Sequence, residues 1–389
     1  MLTDRILAEA RAIAGDIVSL RRSIHAEPEL GLQTPKTRDK VFAALAGLPL
    51  DWREGPSTTG AVGVLRGGRP GPKVLLRGDM DALPIKEMTG KDYASTVPGK
   101  MHACGHDGHT SMLLGAAHYL AETRNFAGTV VVIFQPAEEG GGGGREMVDD
   151  GLMDRFGIAR VYGMHNMPNL PVGQFSIRTG PFFAATDEFR IRITGRGGHA
   201  AWPNQAIDPI VTGAQIVQAL QTIASRNADP VSSIVVSVTQ FHAGSAHNVI
   251  PEEAEIAGTV RTLSPENREL GEERLRALAE NIAAAHGATA EVMWRRGYPV
   301  MVNHSAESDI CAQIAREVAG EAAVESDARP LMGGEDFAYM TEARPGAMIL
   351  IGNGPSAGLH HPAYDFNDEI IPLGISYWAA LAEGNGKAA

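Results

Sequence analysis

The sequence predicts an α/β protein, a layered α/β domain split by an inserted α+β satellite, and three observations carry that expectation. Short apolar runs alternate with helical stretches through the first half of the chain, the mark of a layered sheet. Between about Ala185 and Arg296 the strands become strictly alternating, with two long helices among them. After Tyr298 the first pattern resumes, so both flanks read as one domain. The expected division is 1–184 and 297–389 for the larger domain and 185–296 for the satellite.

The elements follow in order. Val74–Leu76 reads as a buried strand ending at Arg77-Gly78-Asp79. From Gly105 to about Thr123 an apolar stripe with Met112, Leu113, Ala116, Ala117 and Leu120 reads as a helix. Thr129–Phe134 is a second strand, stopped by Pro136, and Val161–Met164 a third. Ala347–Ile351 is a fourth, ended by Gly352-Asn353-Gly354. Within the satellite, Phe189, Ile191 and Ile193 alternate with Arg190, Arg192 and Thr194, as in a strand buried on one face. A helix (about Pro209–Ser225), strands Ser233–Gln240 and Glu253–Arg261, a helix Pro265–His286 and a strand Thr289–Trp294 follow. That order, β-α-β-β-α-β, is the ferredoxin-like unit.

At 389 residues the chain exceeds one small core. Forty-six acidic against thirty-four basic residues give a net charge of -12, which repels phosphate backbones, so no nucleic-acid partner is expected. Two cysteines, Cys104 and Cys311, exclude a disulfide framework. The first residues carry acidic side chains inside an amphipathic helical pattern, unlike a signal peptide, and no apolar run approaches the roughly 20 residues that span a bilayer. A cytoplasmic protein without a membrane partner is expected.

The densest chemical signal is His102-Ala103-Cys104-Gly105-His106-Asp107-Gly108-His109. A thiolate and an imidazole two residues apart at a helix start can reach one or two adjacent metal ions. The alternative is a buried free cysteine beside capping histidines. Gln135-Pro136-Ala137-Glu138-Glu139 follows a strand and precedes five glycines, Gly140–Gly144. Adjacent strand residues point to opposite faces, so Glu138 and Glu139 share a site only if the chain turns there, and the proline and glycines favour that turn. Two such carboxylates can divide the work, one holding metal and one moving the proton of a water. Asp79-Met80-Asp81, His165 and His360-His361 also follow strands. Five polar clusters at strand ends of one α/β domain converge on a metal site, because the carboxyl ends of strands are where open α/β sheets place their ligands. There is no P-loop ending, H-E-x-x-H or deaminase signature.

Ten blocks in order then resemble the M20 metallopeptidase family, in its branch of aminoacylases, hippurate hydrolases and auxin-conjugate hydrolases. They are RRSIHAEPELG (21–31), RGDMDALPI (77–85), HACGHDGHT (102–110), QPAEEG (135–140), GMHNMPNLPVG (163–173), GRGGHAAWP (195–203), NVIP (248–251), GTVRT (258–262), MGGEDFAYM (332–340) and GLHHPAYDFND (358–368). The resemblance implies a zinc-exopeptidase-like catalytic domain with a ferredoxin-like satellite used for dimerisation. It implies two divalent ions per subunit, of Zn, Mn, Co or Ni, held by Cys104, His106, Glu139, His165 and His361. Glu138 is the implied general base and Asp81 an orienting group, with the role of Asp79 left open where the wider clan has histidine. His199, from the satellite of a partner subunit, is the implied oxyanion stabiliser, and Asn248 and Arg261 the binders of a substrate carboxylate. The expected enzyme is a two-metal amidohydrolase of N-acyl amino acids, working as a homodimer or higher homo-oligomer. The alternatives are a dipeptidase or carboxypeptidase of the same clan and a non-catalytic binder of amino-acid derivatives. His25, His109, His118, His242 and His247 read as packing, capping or surface residues, and Gly333-Gly334-Glu335-Asp336 as a structural loop.

Overall fold

The four apolar runs of the larger domain each lie inside a longer strand, and these strands are adjacent and parallel. They are Arg69–Asp79, Ala127–Gln135, Arg160–Pro168 and Gly346–Gly354. The computed structural model describes residues 2–54 and 60–384. Antiparallel strands Ala61–Arg66 and Asp51–Glu54 extend the sheet at one edge. Phe175–Ser176 and Val324–Glu325 extend it at the other, giving eight strands. The central strands are buried almost without interruption, as parallel strands covered on both faces must be.

Helices Leu2–Ala26, His106–Thr123 and Ile371–Gly384 pack against one another. Two close approaches require glycine. A Cβ on Gly374 would stand 2.1 Å from Met112 Sδ, and one on Gly115 would stand 2.4 Å from Ile375 Cδ1. These helices carry much of the apolar core, with Ile17, Met112, Leu120, Ile375 and Trp378 all buried.

The chain divides into two units, one of residues 1–180, 302–329 and 336–389, the other of 181–301 and 330–335. In the second, strands Ile234–Ala243, Glu253–Thr262, Ala185–Thr194 and Thr289–Arg296 form an antiparallel sheet in that order. Phe189, Ile191 and Ile193 join a core with Ile216, Leu220 and Leu275 of helices Pro209–Thr222 and Pro265–Ala285. Glu188, Arg190 and Arg192 face outward, as the alternation requires. Both helices begin on a side-chain cap followed by proline. Asp208 accepts from Ile210 N and Val211 N, and Ser264 accepts from Asn267 N. Residues 330–335, which the sequence pattern left in the larger domain, hydrogen-bond into this unit: Leu331 N donates to Phe182 O and Ala184 N to Gly333 O.

Candidate metal centre

Parallel strands deliver their carboxyl ends to one edge, and here that edge gathers sulfur, imidazole and carboxylate. Asp79 pairs in register with Gln135, and His165 with Leu350. His165 therefore lies within its strand, not after it, because the strand runs on to Pro168. Between Cys104 and His106, Gly105 adopts φ 89°, and a Cβ there would stand 2.3 Å from Asn166 Nδ2 and 2.5 Å from Tyr364 Oη. Only glycine lets the loop settle against the third strand and start the helix His106–Thr123.

Cys104, His106, Asp79, Asp81, Glu138 and His165 are all buried. Cys104 Sγ lies 3.4 Å from His165 Nε2. The candidate ligand atoms of Cys104, His106 and His165 lie within 4.8 Å of one another, as do those of His106, Glu138 and Glu139, and those of Cys104, Glu139 and His360. Both imidazoles are oriented from behind. His106 Nδ1 donates to the Asp81 carbonyl at 2.8 Å and His165 Nδ1 to the Asn166 carbonyl at 2.6 Å, which leaves each Nε2 as a lone-pair donor.

The turn that brings both glutamates to one place rests on Asp81, whose Oδ1 accepts from Glu138 N (2.9 Å) and Oδ2 from Glu139 N (3.0 Å). Ala137 takes φ 57°, an uncommon left-handed conformation for alanine. A Cβ on Gly143 would stand 1.8 Å from Pro136 O, so the glycine run is needed for the chain to fold back.

A buried charge network backs the cluster. Arg77 donates to Asp79 Oδ2 (2.7 Å), Gln135 Oε1 (3.0 Å) and Asp336 Oδ1 (2.8 Å). Burial would raise the Asp79 carboxyl, yet Arg77, His106 and His109 outweigh it and hold it well below the usual range. Burial pushes Asp336 up to about 6, while Arg77 and Gln135 pull the other way. Burial opposes charge on His106 as well, but Asp79, Asp81 and Glu139 raise it to about 10. The Cys104 thiol is pushed up by burial and by Glu139, Glu138 and Asp79. The pocket is anionic and built to hold positive charge.

The donors fit divalent ions. His106 Nε2 is buried with no hydrogen-bond partner, and Glu139 Oε1 lies 3.1 Å from His360 Nε2 without hydrogen-bond geometry. Such atoms are costly unless a cation completes them. A thiol, imidazoles and carboxylates suit Zn, Mn, Co or Ni.

The structure thus brings together Cys104, His106, Glu138, Glu139, His165 and Asp81. It does not bring His361, and this corrects the sequence reading. Both histidines of the pair are exposed, but His361 Nδ1 accepts from Ala363 N at 3.0 Å. His360, at φ 62° with its N–H on the Ala103 carbonyl (2.8 Å), turns toward Glu139 in its place.

His109, read as packing, is also part of the cluster. Its Nδ1 donates to Asp79 Oδ1 (2.7 Å), and its Nε2 accepts from Asn166 N (2.9 Å). Three residues after His106 on one helix, it shares that face, and this spacing was the signal that could have found it. Asn166 and Asp336 lie in blocks of the family resemblance, but no spacing tied either one to the cluster. Gln135 Nε2 and Gly144 N both donate to Asp336 Oδ2, each at 2.8 Å.

His199, Asn248 and Arg261 lie in the second unit. His199 pairs in register with Val249, and Ala200 N donates to the Asn248 carbonyl at 3.0 Å, so the two are neighbours. Arg261 is partly buried, its Nη1 on the carbonyls of Val260 (3.2 Å) and Asp187 (3.5 Å). Burial lowers its pKa against the pull of Glu188 and Asp187. Among the described residues no helix is long and apolar enough to cross a membrane.

Four parallel strands with a buried thiol, imidazole and carboxylate cluster at their carboxyl edge make a candidate metal centre. Residues 75–384 match peptidase family M20/M25/M40, and the chain belongs to that family. It is 40% identical over 368 residues to the N-acetylcysteine deacetylase of Bacillus subtilis, covering 94% of this chain and 96% of that one. It is 40% identical over 377 residues to the hippurate hydrolase of Campylobacter jejuni, covering 97% and 98%. The solved structure of the Bacillus subtilis YXEP protein, a dinuclear metal-binding peptidase of the M20 family, superposes with a TM-score of 0.85 at 35% identity, covering 97% and 100%. The chain is a metal-dependent amidohydrolase of the aminoacylase and hippurate hydrolase branch.

Proposed function

We propose that the enzyme hydrolyses the amide bond of N-acyl amino acids, releasing a carboxylic acid and a free amino acid. The observation that carries this reading is the seating of Glu138 and Glu139 on one carboxylate, Asp81, beside the donor set of Cys104, His106, His165 and His360. Cys104, His106, Glu139, His165 and His360 would hold two divalent ions, of Zn, Mn, Co or Ni. When bound, such ions acidify water and polarise a carbonyl.

Glu138 is the general base. Its Oε2 lies 3.9 Å from His106 Nε2, it is 6% exposed, and its backbone is fixed, so it can take a proton from the attacking water and return it to the leaving amine. Asp81 positions it, and Asp79, held by Arg77, orients the His109 imidazole. His199 polarises the scissile carbonyl, supplied by the second unit of a partner subunit in a homodimer or higher homo-oligomer. Its Nδ1 accepts from Ala201 N at 3.0 Å, which leaves Nε2–H as a donor. Asn248 and the partly buried Arg261 bind the carboxylate of the amino-acid half. Two buried, unpaired cysteines suit a reducing cytoplasm.

A dipeptidase or carboxypeptidase would use the same donors. A side-by-side panel of N-acetyl and N-benzoyl amino acids and dipeptides, with metal-reconstituted enzyme, separates the two. N-acyl amino acids should be turned over with the higher kcat/KM, and a preference for dipeptides would reverse the assignment.

A further inference from the structure

Among the exposed large apolar side chains, Trp202 stands out because the chain around it is rigid. Its N–H donates to the His199 carbonyl (2.9 Å), its own carbonyl accepts from Gln205 N (3.0 Å), and Pro203 follows. The loop is closed at its base by a two-way bridge, each bond 2.9 Å, between Arg196 and Ile207. A Cβ on Gly195 would stand 2.1 Å from Ile207 O, so glycine is required there. Gly197 N is held by Glu252 Oε2 at 2.8 Å. The backbone is tied, yet the indole is 57% exposed. It leans on the His199 imidazole, with ring centroids 4.6 Å apart at 42°. Val249, directly opposite His199 in the two-stranded ladder and 49% exposed, presents a second apolar side chain on the same face. His199 thus has an indole against its ring and a valine as its cross-strand partner, and Nε2–H is its remaining donor.

We infer that Trp202 is a specificity-determining residue that selects aromatic acyl groups, so that aroyl or arylacetyl amino acids are preferred to acetyl ones. The inference rests on the reading that His199 donates to the scissile carbonyl. The acyl substituent is bonded to that same carbonyl carbon, so a carbonyl oxygen on His199 Nε2 places the first ring of an acyl group within reach of the indole. A flat ring can then stack on a surface already held in place, which avoids the entropy of ordering it. Val249, the cross-strand partner of His199, adds apolar surface on the same face. An acetyl group is too short to cover either surface.

The test compares N-benzoyl-, N-hexanoyl- and N-acetyl-amino acids on wild type and on the W202A, W202L, W202F and H199A variants of the metal-loaded enzyme, with oligomeric state measured for each. Trp202→Ala and Trp202→Leu should lower the benzoyl-to-acetyl ratio of kcat/KM by roughly tenfold, and Trp202→Phe should restore most of it. An unchanged ratio in all three variants overturns the inference. So does an equal loss on hexanoyl and benzoyl substrates, which would make the indole a general apolar surface, or a loss on every substrate together with dissociation of the oligomer, which would make it an interface residue. His199→Ala keeps the two failures apart. If it leaves kcat intact, the underlying reading of His199 fails. If kcat collapses while the Trp202 ratios stay flat, only the role of Trp202 falls.

Discussion

Of two adjacent histidines, the one with a left-handed backbone is the one proposed to serve the cluster. His360 at φ 62° has its Nε2 3.1 Å from Glu139, while His361 Nδ1 is taken by Ala363 N. His360→Ala should weaken metal binding by at least about 10–100-fold, the cost seen even for partners one shell out. His361→Ala should retain full metal content. Metal analysis after dialysis checks both, and the reverse pattern would restore His361. The two glutamates separate in the same way. Glu138→Gln should keep its metal while kcat falls by about 10²–10⁴-fold, and Glu139→Gln should lose metal. Metal analysis beside steady-state kinetics tells them apart, and an opposite result exchanges their roles. The sequence could not show which histidine turns inward, because both follow the same strand and only the torsion differs.

The helix Leu2–Ala26, far away in the chain, locks the helix that carries His106. Arg21 and His25, four apart on the helix Leu2–Ala26, both reach Asp107 Oδ2, Arg21 Nη1 at 3.2 Å and His25 Nδ1 at 2.8 Å. Asp107 sits in the first turn of its helix, where negative charge is favoured. Burial disfavours a charged His25, but Asp107 and Glu87 outweigh it and raise its pKa from 6.5 to about 9. A raised folded pKa means that protonated His25 stabilises the fold. That contribution is full below pH 6.5 and is lost as pH rises through about 9. The melting temperature of wild type should therefore exceed that of His25→Gln most at the acid end of this window, with the gap closing toward its alkaline end. A constant gap would contradict it. The strands were legible because their apolar runs are continuous, and their polar ends marked the site. Strand ends were less legible: His165 and Gly352-Asn353-Gly354 were read as following strands that in fact include them. The short antiparallel strands Asp51–Glu54 and Phe175–Ser176 had too few residues to show a pattern.

Across the whole molecule, the change from continuous to alternating apolar patterning made the second unit readable. A parallel sheet is buried on both faces and this antiparallel sheet on one. Its return segment, 330–335, was not readable, because it joins by backbone hydrogen bonds that leave no side-chain signature. The cluster at the carboxyl edge of the larger sheet should hydrolyse amides only with metal. The direct measurement follows release of free amino acid from an N-benzoyl amino acid after prolonged chelation, then during stepwise return of a divalent ion with bound metal determined at each step. Activity should vanish on chelation, return with bound ion and level off near two ions per chain, a two-metal site. Full hydrolysis by protein shown to be metal-free would contradict it.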